Sequence, residues 1–153
     1  MPTLQLTDES FLTTAPSRFS ETFEIARPAA DVWAELINDT PLDWCRALSI
    51  KWTSPRPFGI GTTRTAKVLG ALMVKERYFI WEEGHRKTFC ITESSLPVFN
   101  RVAEDYVVEP LAPDRSRFTW TLAMEPKGIA KIGPGNKLLV NSLFKDTRKH
   151  FSA

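Results

Sequence analysis

The sequence is poor in the residues that build disulfides and metal centres, with two cysteines and two histidines in 153 residues. They occur singly, as Cys45, His85, Cys90 and His150, at no spacing that suits a zinc site. No metal and no cofactor are expected, and both thiols are expected to be free and buried. No basic and then apolar stretch of the secretory type opens the chain, so the expected compartment is the cytoplasm. No run reaches the roughly 18 apolar residues that a membrane span requires. Charge of one sign is missing too: 20 basic and 18 acidic residues lie scattered along the chain and leave a net +2. That balance gives no strong field for nucleic acid, and neither nucleic acid nor integral membrane association is expected.

Glycine is sparse. Gly59-x-Gly61 lacks the third glycine of a dinucleotide fingerprint and precedes a predicted strand instead of a helix, so it reads as a turn. A Gly-x-Ser-x-Gly elbow and a Walker lysine are both absent. His85 falls in a predicted turn and His150 near a helix end, where solvated side chains are expected.

Aromatic residues are abundant, with ten Phe and five Trp, and they supply the rigid apolar surface that cores and ligand pockets share. The length suits one domain around one core. Residues 1–17 mix Thr, Ser, Asp and two prolines without periodicity and read as an N-terminal arm; residues 18–153 read as the domain. Phe19, Glu21, Phe23 and Ile25 alternate as in a first strand. Pro28 then opens a helix whose stripe is Ala29, Val32, Trp33, Leu36 and Ile37. Thr40 and Asp43 form a capping signal for a short second helix through Trp44. From Ser49 onward, alternation and turn residues predict about six antiparallel strands. Leu139, Val140, Leu143, Phe144, Thr147 and Phe151 then share one face of a helix starting near Asn136.

This order predicts an α+β helix-grip fold, a curved antiparallel sheet around a long C-terminal helix with two short helices after the first strand. Phe23-Glu24-Ile25-Ala26-Arg27-Pro28-Ala29-Ala30-Asp31-Val32-Trp33 resembles the strand-to-helix opening of the START-like superfamily, which includes polyketide cyclase/dehydrase and lipid-transport proteins. Trp44, Gly59-Ile60-Gly61-Thr62-Thr63-Arg64 and Glu109-Pro110 extend the likeness, which runs from about residue 18 to the end. The resemblance implies a cavity between sheet and helix for a small apolar ligand. It brings no common catalytic motif.

The expected aromatic walls are Trp33, Phe89, Phe118, Trp120 and Phe144, with Leu139 and Leu143 facing them from the helix. Charged residues inside apolar alternation are the expected polar groups. If Tyr106 faces the cavity, the period of two brings Glu104 with it; the opposite phase would turn Asp105 inward. Arg64 shares a face with Ala66 and Val68, and Glu76 with Val74, Tyr78 and Ile80. A three-residue turn at Gly70–Leu72 would set Arg64 opposite Tyr78 and Ala66 opposite Glu76. An ion pair of Arg64 with Glu76 or Glu104 is expected if these residues point inward, since a buried charge is costly alone; on the outer face they would meet solvent. Three functions fit: carriage of an apolar molecule; a cyclase, dehydratase or hydrolase using Glu104 as acid or base with Arg64 orienting the substrate; or a protein-interaction module with a closed core.

Overall fold

The computed structural model describes residues 1–152. A short helix α1 (Phe11–Thr14) precedes β1 (Ser17–Ile25) and α2 (Ala29–Leu36). Six strands come next: β2 (Leu48–Trp52), β3 (Thr63–Val68), β4 (Leu72–Glu82), β5 (Arg86–Ser94), β6 (Phe99–Ala112) and β7 (Arg115–Pro126). A 3₁₀ turn (Gly128–Lys131) leads into α3 (Gly135–Phe151). The strands form one antiparallel sheet in the order β1-β7-β6-β5-β4-β3-β2, so the meander closes by bringing β1 back against β7. Its concave face holds α3, whose Val140, Leu143, Phe144, Thr147 and Phe151 are buried along the predicted stripe. This is the helix-grip architecture.

Alternation reads directly in β1, where Phe23 and Ile25 are buried and their neighbours Thr22 and Glu24 exposed. Phe23 lies opposite Phe118 of β7 and their rings stack at 5.6 Å. Phe144 of α3 meets Phe23 edge-on at 6.1 Å, tying the helix to both strands.

Three local features differ from expectation. Between Pro41 and Trp44 the chain makes consecutive turns instead of a second helix, with Leu42 at φ 59°. The β3–β4 hairpin turns at Leu69 and Gly70, both at positive φ (52° and 69°), so Val68 pairs with Leu72. Arg64 therefore stands opposite Glu76, and Ala66 opposite Val74, two residues from the expected register. In β4 a bulge lies between Tyr78, paired with Phe89, and Ile80, paired with Thr88. The extra residue reverses the facing of the strand beyond it: Trp81, not Ile80, turns onto Tyr78 at 5.0 Å.

The N-terminal segment is docked on the sheet. Thr3 bridges Glu93, and Phe11 and Leu12 of α1 are buried on the convex face with Ala103 and Ala123. The stacked side chain of Arg101 lies 4.5 Å from the Phe11 ring.

Candidate functional site

A cavity of about 360 Å³ lies between the concave face of the sheet and α3. Ala66, Val68, Val74, Ile91, Val102, Leu122 and Met124 line it from five strands, and Leu139, Val140 and Leu143 from the helix. One end is open: Leu69 and Leu96, 70% and 51% exposed, belong to its rim with Ala130 and Gly135. The opposite end is polar and consists of Arg64, Glu76, Glu104 and Tyr106 with Trp120. Arg64 and Val68 mark the two ends along β3, and four residues of strand set them about 13 Å apart.

The strand period brings the polar residues together. Arg64 and Glu76 are cross-strand neighbours, 1% and 4% exposed, and Arg64 Nε donates to Glu76 Oε1. Arg64 Nη2 donates to the Tyr106 hydroxyl (3.2 Å), which donates in turn to Glu104 Oε1 (2.9 Å). Trp120 Nε1 donates to the same oxygen at 2.9 Å. The guanidinium is boxed by aromatic rings, its carbon 4.9 Å from the centre of Phe89 and 5.5 Å from those of Trp52 and Tyr78. Such faces offset part of the cost of removing a cation from water.

Lys87, which the sequence reading missed, completes the cluster from behind. It is 1% exposed, and its Nζ donates to Leu36 O (2.9 Å) and to the Tyr78 hydroxyl (3.0 Å). The signal was in the alternation, because Lys87 has the parity of Phe89 and Ile91. Lys87 sits beneath the cavity wall and does not line it.

Burial and the nearby Glu76 charge raise the Glu104 carboxyl to about 7, against the hydrogen bonds from Trp120 and Tyr106 and the charge of Arg64. Burial also raises Glu76, with Arg64 pulling the other way. Desolvation and the Arg64 charge push Lys87 well below the usual lysine range. Glu104 is thus a carboxyl able to hold or lose a proton near neutrality, facing an apolar space.

Seven of the twelve expected site residues line this cavity: Arg64, Glu76, Glu104, Tyr106, Trp120, Leu139 and Leu143. The other five do not. Tyr78 and Phe89 lie under the Arg64 guanidinium, and Phe118 stacks between Tyr106 and Phe23, so all three support the polar end from below. Phe144 is spent on packing α3 against Phe23 and Trp120. Trp33 is held at the closed end, against Trp81 at 5.7 Å and with Nε1 donating to Glu83. The two phases left open for β6 resolve with Glu104 inward and Asp105 outward, where it pairs with Arg86. His150 is not in open solvent: its ring stacks on Trp44 at 4.1 Å and Nε2 meets Glu35 at 2.9 Å. His85 is half-exposed, its Nδ1 donating to Val108 O.

Among the described residues no group of three or more His, Cys, Asp or Glu is arranged to hold a metal, and no helix is long and apolar enough to cross a membrane. Cys45 and Cys90 are free and buried.

The family model for polyketide cyclase / dehydrase and lipid transport matches residues 16–151. The chain belongs to this family. An uncharacterized protein of Mycobacterium tuberculosis is 36% identical over 126 residues, which cover 80% of this chain and 74% of the relative. A START superfamily protein from Mycobacterium smegmatis shares the fold with a TM-score of 0.68 at 16% identity, over 88% of this chain and 97% of that one. Major latex-like protein 151 from Panax ginseng does so with a TM-score of 0.63 at 18% identity, over 88% and 97%. At such identities the likeness speaks for the fold alone. As a member of the polyketide cyclase/dehydrase and lipid transport family, the chain has a START-like helix grip, with α3 held in the curve of the sheet.

Proposed function

We propose that this family member binds one small apolar molecule, a lipid, polyketide or other hydrophobic metabolite, in the cavity between sheet and α3. The observation that supports this reading is the cavity itself: about 360 Å³, apolar along its length and polar at one end. Ligand sites are commonly of this kind, with a few polar groups orienting an otherwise apolar guest. A closed core would have favoured a protein-interaction module instead. The cytoplasm is the proposed compartment, on the ground that both thiols are free. Organic extraction of the purified protein followed by mass spectrometry tests the reading. A stoichiometric apolar compound supports it; an empty extract, together with failure to bind any of a panel of lipids and aromatic polyketides, would sink it.

Glu104 favours a second reading. A carboxyl near 7 in a shielded site suits a general acid or base, and Arg64 beside it could orient a carbonyl. Turnover of a candidate polyketide or ester that is lost in Glu104→Gln would establish it; binding without turnover favours the carrier.

A further inference from the structure

Arg64 carries an unused donor. Its Nε is bonded to Glu76 and its Nη2 to Tyr106, while Nη1 is buried without any hydrogen-bond partner. Leaving a buried charged donor unsatisfied is costly, and such atoms call for an explanation. The residue lines the cavity at its polar end, next to Glu104. One oxygen of Glu104, Oε1, already accepts from Tyr106 and Trp120, while Oε2 has no partner among the described residues. The Tyr106 hydroxyl bridges Arg64 Nη2 and Glu104 Oε1, so the two side chains that carry the free donor and the free oxygen are linked through one hydroxyl.

We propose that the cavity takes an apolar acid, with the carboxyl group of the ligand seated at the polar end, one oxygen accepting from Arg64 Nη1 and the other sharing a proton with Glu104. The inference rests on the binding function proposed above and names the ligand class. A guanidinium edge prefers a planar, negatively charged acceptor to a neutral hydroxyl or ester. The charges around Glu104 come from every strand packed there: Arg64 from β3, Glu76 from β4 and Lys87 from β5, with the Tyr106 hydroxyl and Trp120 indole beside it. Helix α3 faces the cavity only with Leu139, Val140 and Leu143 near its middle and with Gly135 and Asn136 at its start. A carboxylate entering this cluster meets two carboxyl groups already present, so one proton must come with it. That proton goes to the Glu104–ligand pair, and no bond other than this hydrogen bond is made or broken. About 13 Å of apolar wall between Arg64 and the rim then receives the body of the acid.

The test titrates decanoic acid, 1-decanol and methyl decanoate into the full chain, with tryptophan emission as the readout. The acid should bind at least roughly tenfold more tightly than the ester at pH 7, the usual worth of a charge-assisted hydrogen bond. Between pH 7.5 and 9 its affinity should fall about tenfold per pH unit, reporting uptake of about one proton, while the alcohol and the ester stay level. Arg64→Lys keeps a cation beside Glu76 but removes Nη1, and should bring the acid-to-ester ratio to within about threefold. Glu104→Gln, which retains the amide oxygen for Tyr106 and Trp120, should abolish the pH slope and tests the same point if Arg64→Lys does not fold. Equal affinity for all three compounds, or tighter binding of the alcohol, would overturn the acid as ligand and leave the binding function standing. Failure of all three to bind would also overturn the acid as ligand, while the binding function is decided by the extract and the wider panel.

Discussion

Trp120, which pairs with and stacks on Tyr106, donates its indole proton diagonally across the β6–β7 ladder to Glu104 at 2.9 Å, inside the cavity. The indole thus reports the ionisation of a carboxyl raised to about 7. Tryptophan emission should change with pH with a midpoint near 7. The step should vanish in Glu104→Gln and in Trp120→Phe. A step that persists in both belongs to another group and removes Glu104 as the titrating acid.

Stability should depend on pH through the same side chain. The native carboxyl titrates near 7, above its ordinary 4.5, so between these values the folded state holds a proton that the unfolded chain has lost. Stability from Glu104 is therefore fully present below about 4.5 and declines as pH rises to about 7, by up to roughly 3 kcal/mol. Urea unfolding from pH 5 to 8 should show this fall in the parent and a flatter profile in Glu104→Gln. Parallel profiles would mean that the carboxyl is already ionised at pH 5.

Arg64 and Glu76 should behave as a unit. Replacing Arg64 by Met leaves a carboxylate alone in the interior, which costs about 3–5 kcal/mol. The double variant Arg64→Met with Glu76→Met removes both charges and should lose much less. A double-mutant cycle by chemical denaturation should give a coupling of about 2 kcal/mol or more. Additive losses would show that the two side chains do not pair in solution.

Phe144 holds the helix in the grip. Its ring is 5% exposed and meets Phe23 and Trp120 edge-on, so Phe144→Ala should cost about 3 kcal/mol or more. Because the ring does not line the cavity, the variant should lose more in melting temperature than in ligand affinity measured well below its Tm. Equal affinity loss without destabilisation would place Phe144 on the cavity wall.

Much of the candidate site was legible through periodicity. In β6, Tyr106 carries Glu104 to the same face, and in β3 the parity of Arg64 with Ala66 and Val68 marks the inner side. The same rule applied to β5 would have found Lys87, whose neighbours in phase are Phe89 and Ile91. It fails in β4 beyond Tyr78, where the bulge exchanges Ile80 for Trp81. A bulge depends on how two strands meet, and neither strand announces it alone.

The order of the strands, the apolar stripe of α3 and the parity that groups Arg64 with Ala66, Glu76 with Tyr78 and Glu104 with Tyr106 follow from the sequence, because each is a period of two or 3.6 within one segment. Which way those faces turn, and which inward residues meet the cavity, is settled by tertiary packing. Trp33, Tyr78, Phe89, Phe118 and Phe144 are as apolar or aromatic as Trp120, yet ring-on-ring packing absorbs them while Trp120 meets the cavity. The Arg64–Glu76 pairing likewise depended on a turn that starts at Leu69, ahead of the glycine, since this leucine takes a positive φ that its residue type seldom adopts. Position along a strand sets which face a side chain takes. Depth on that face is set by where the neighbouring strands and the helix leave space.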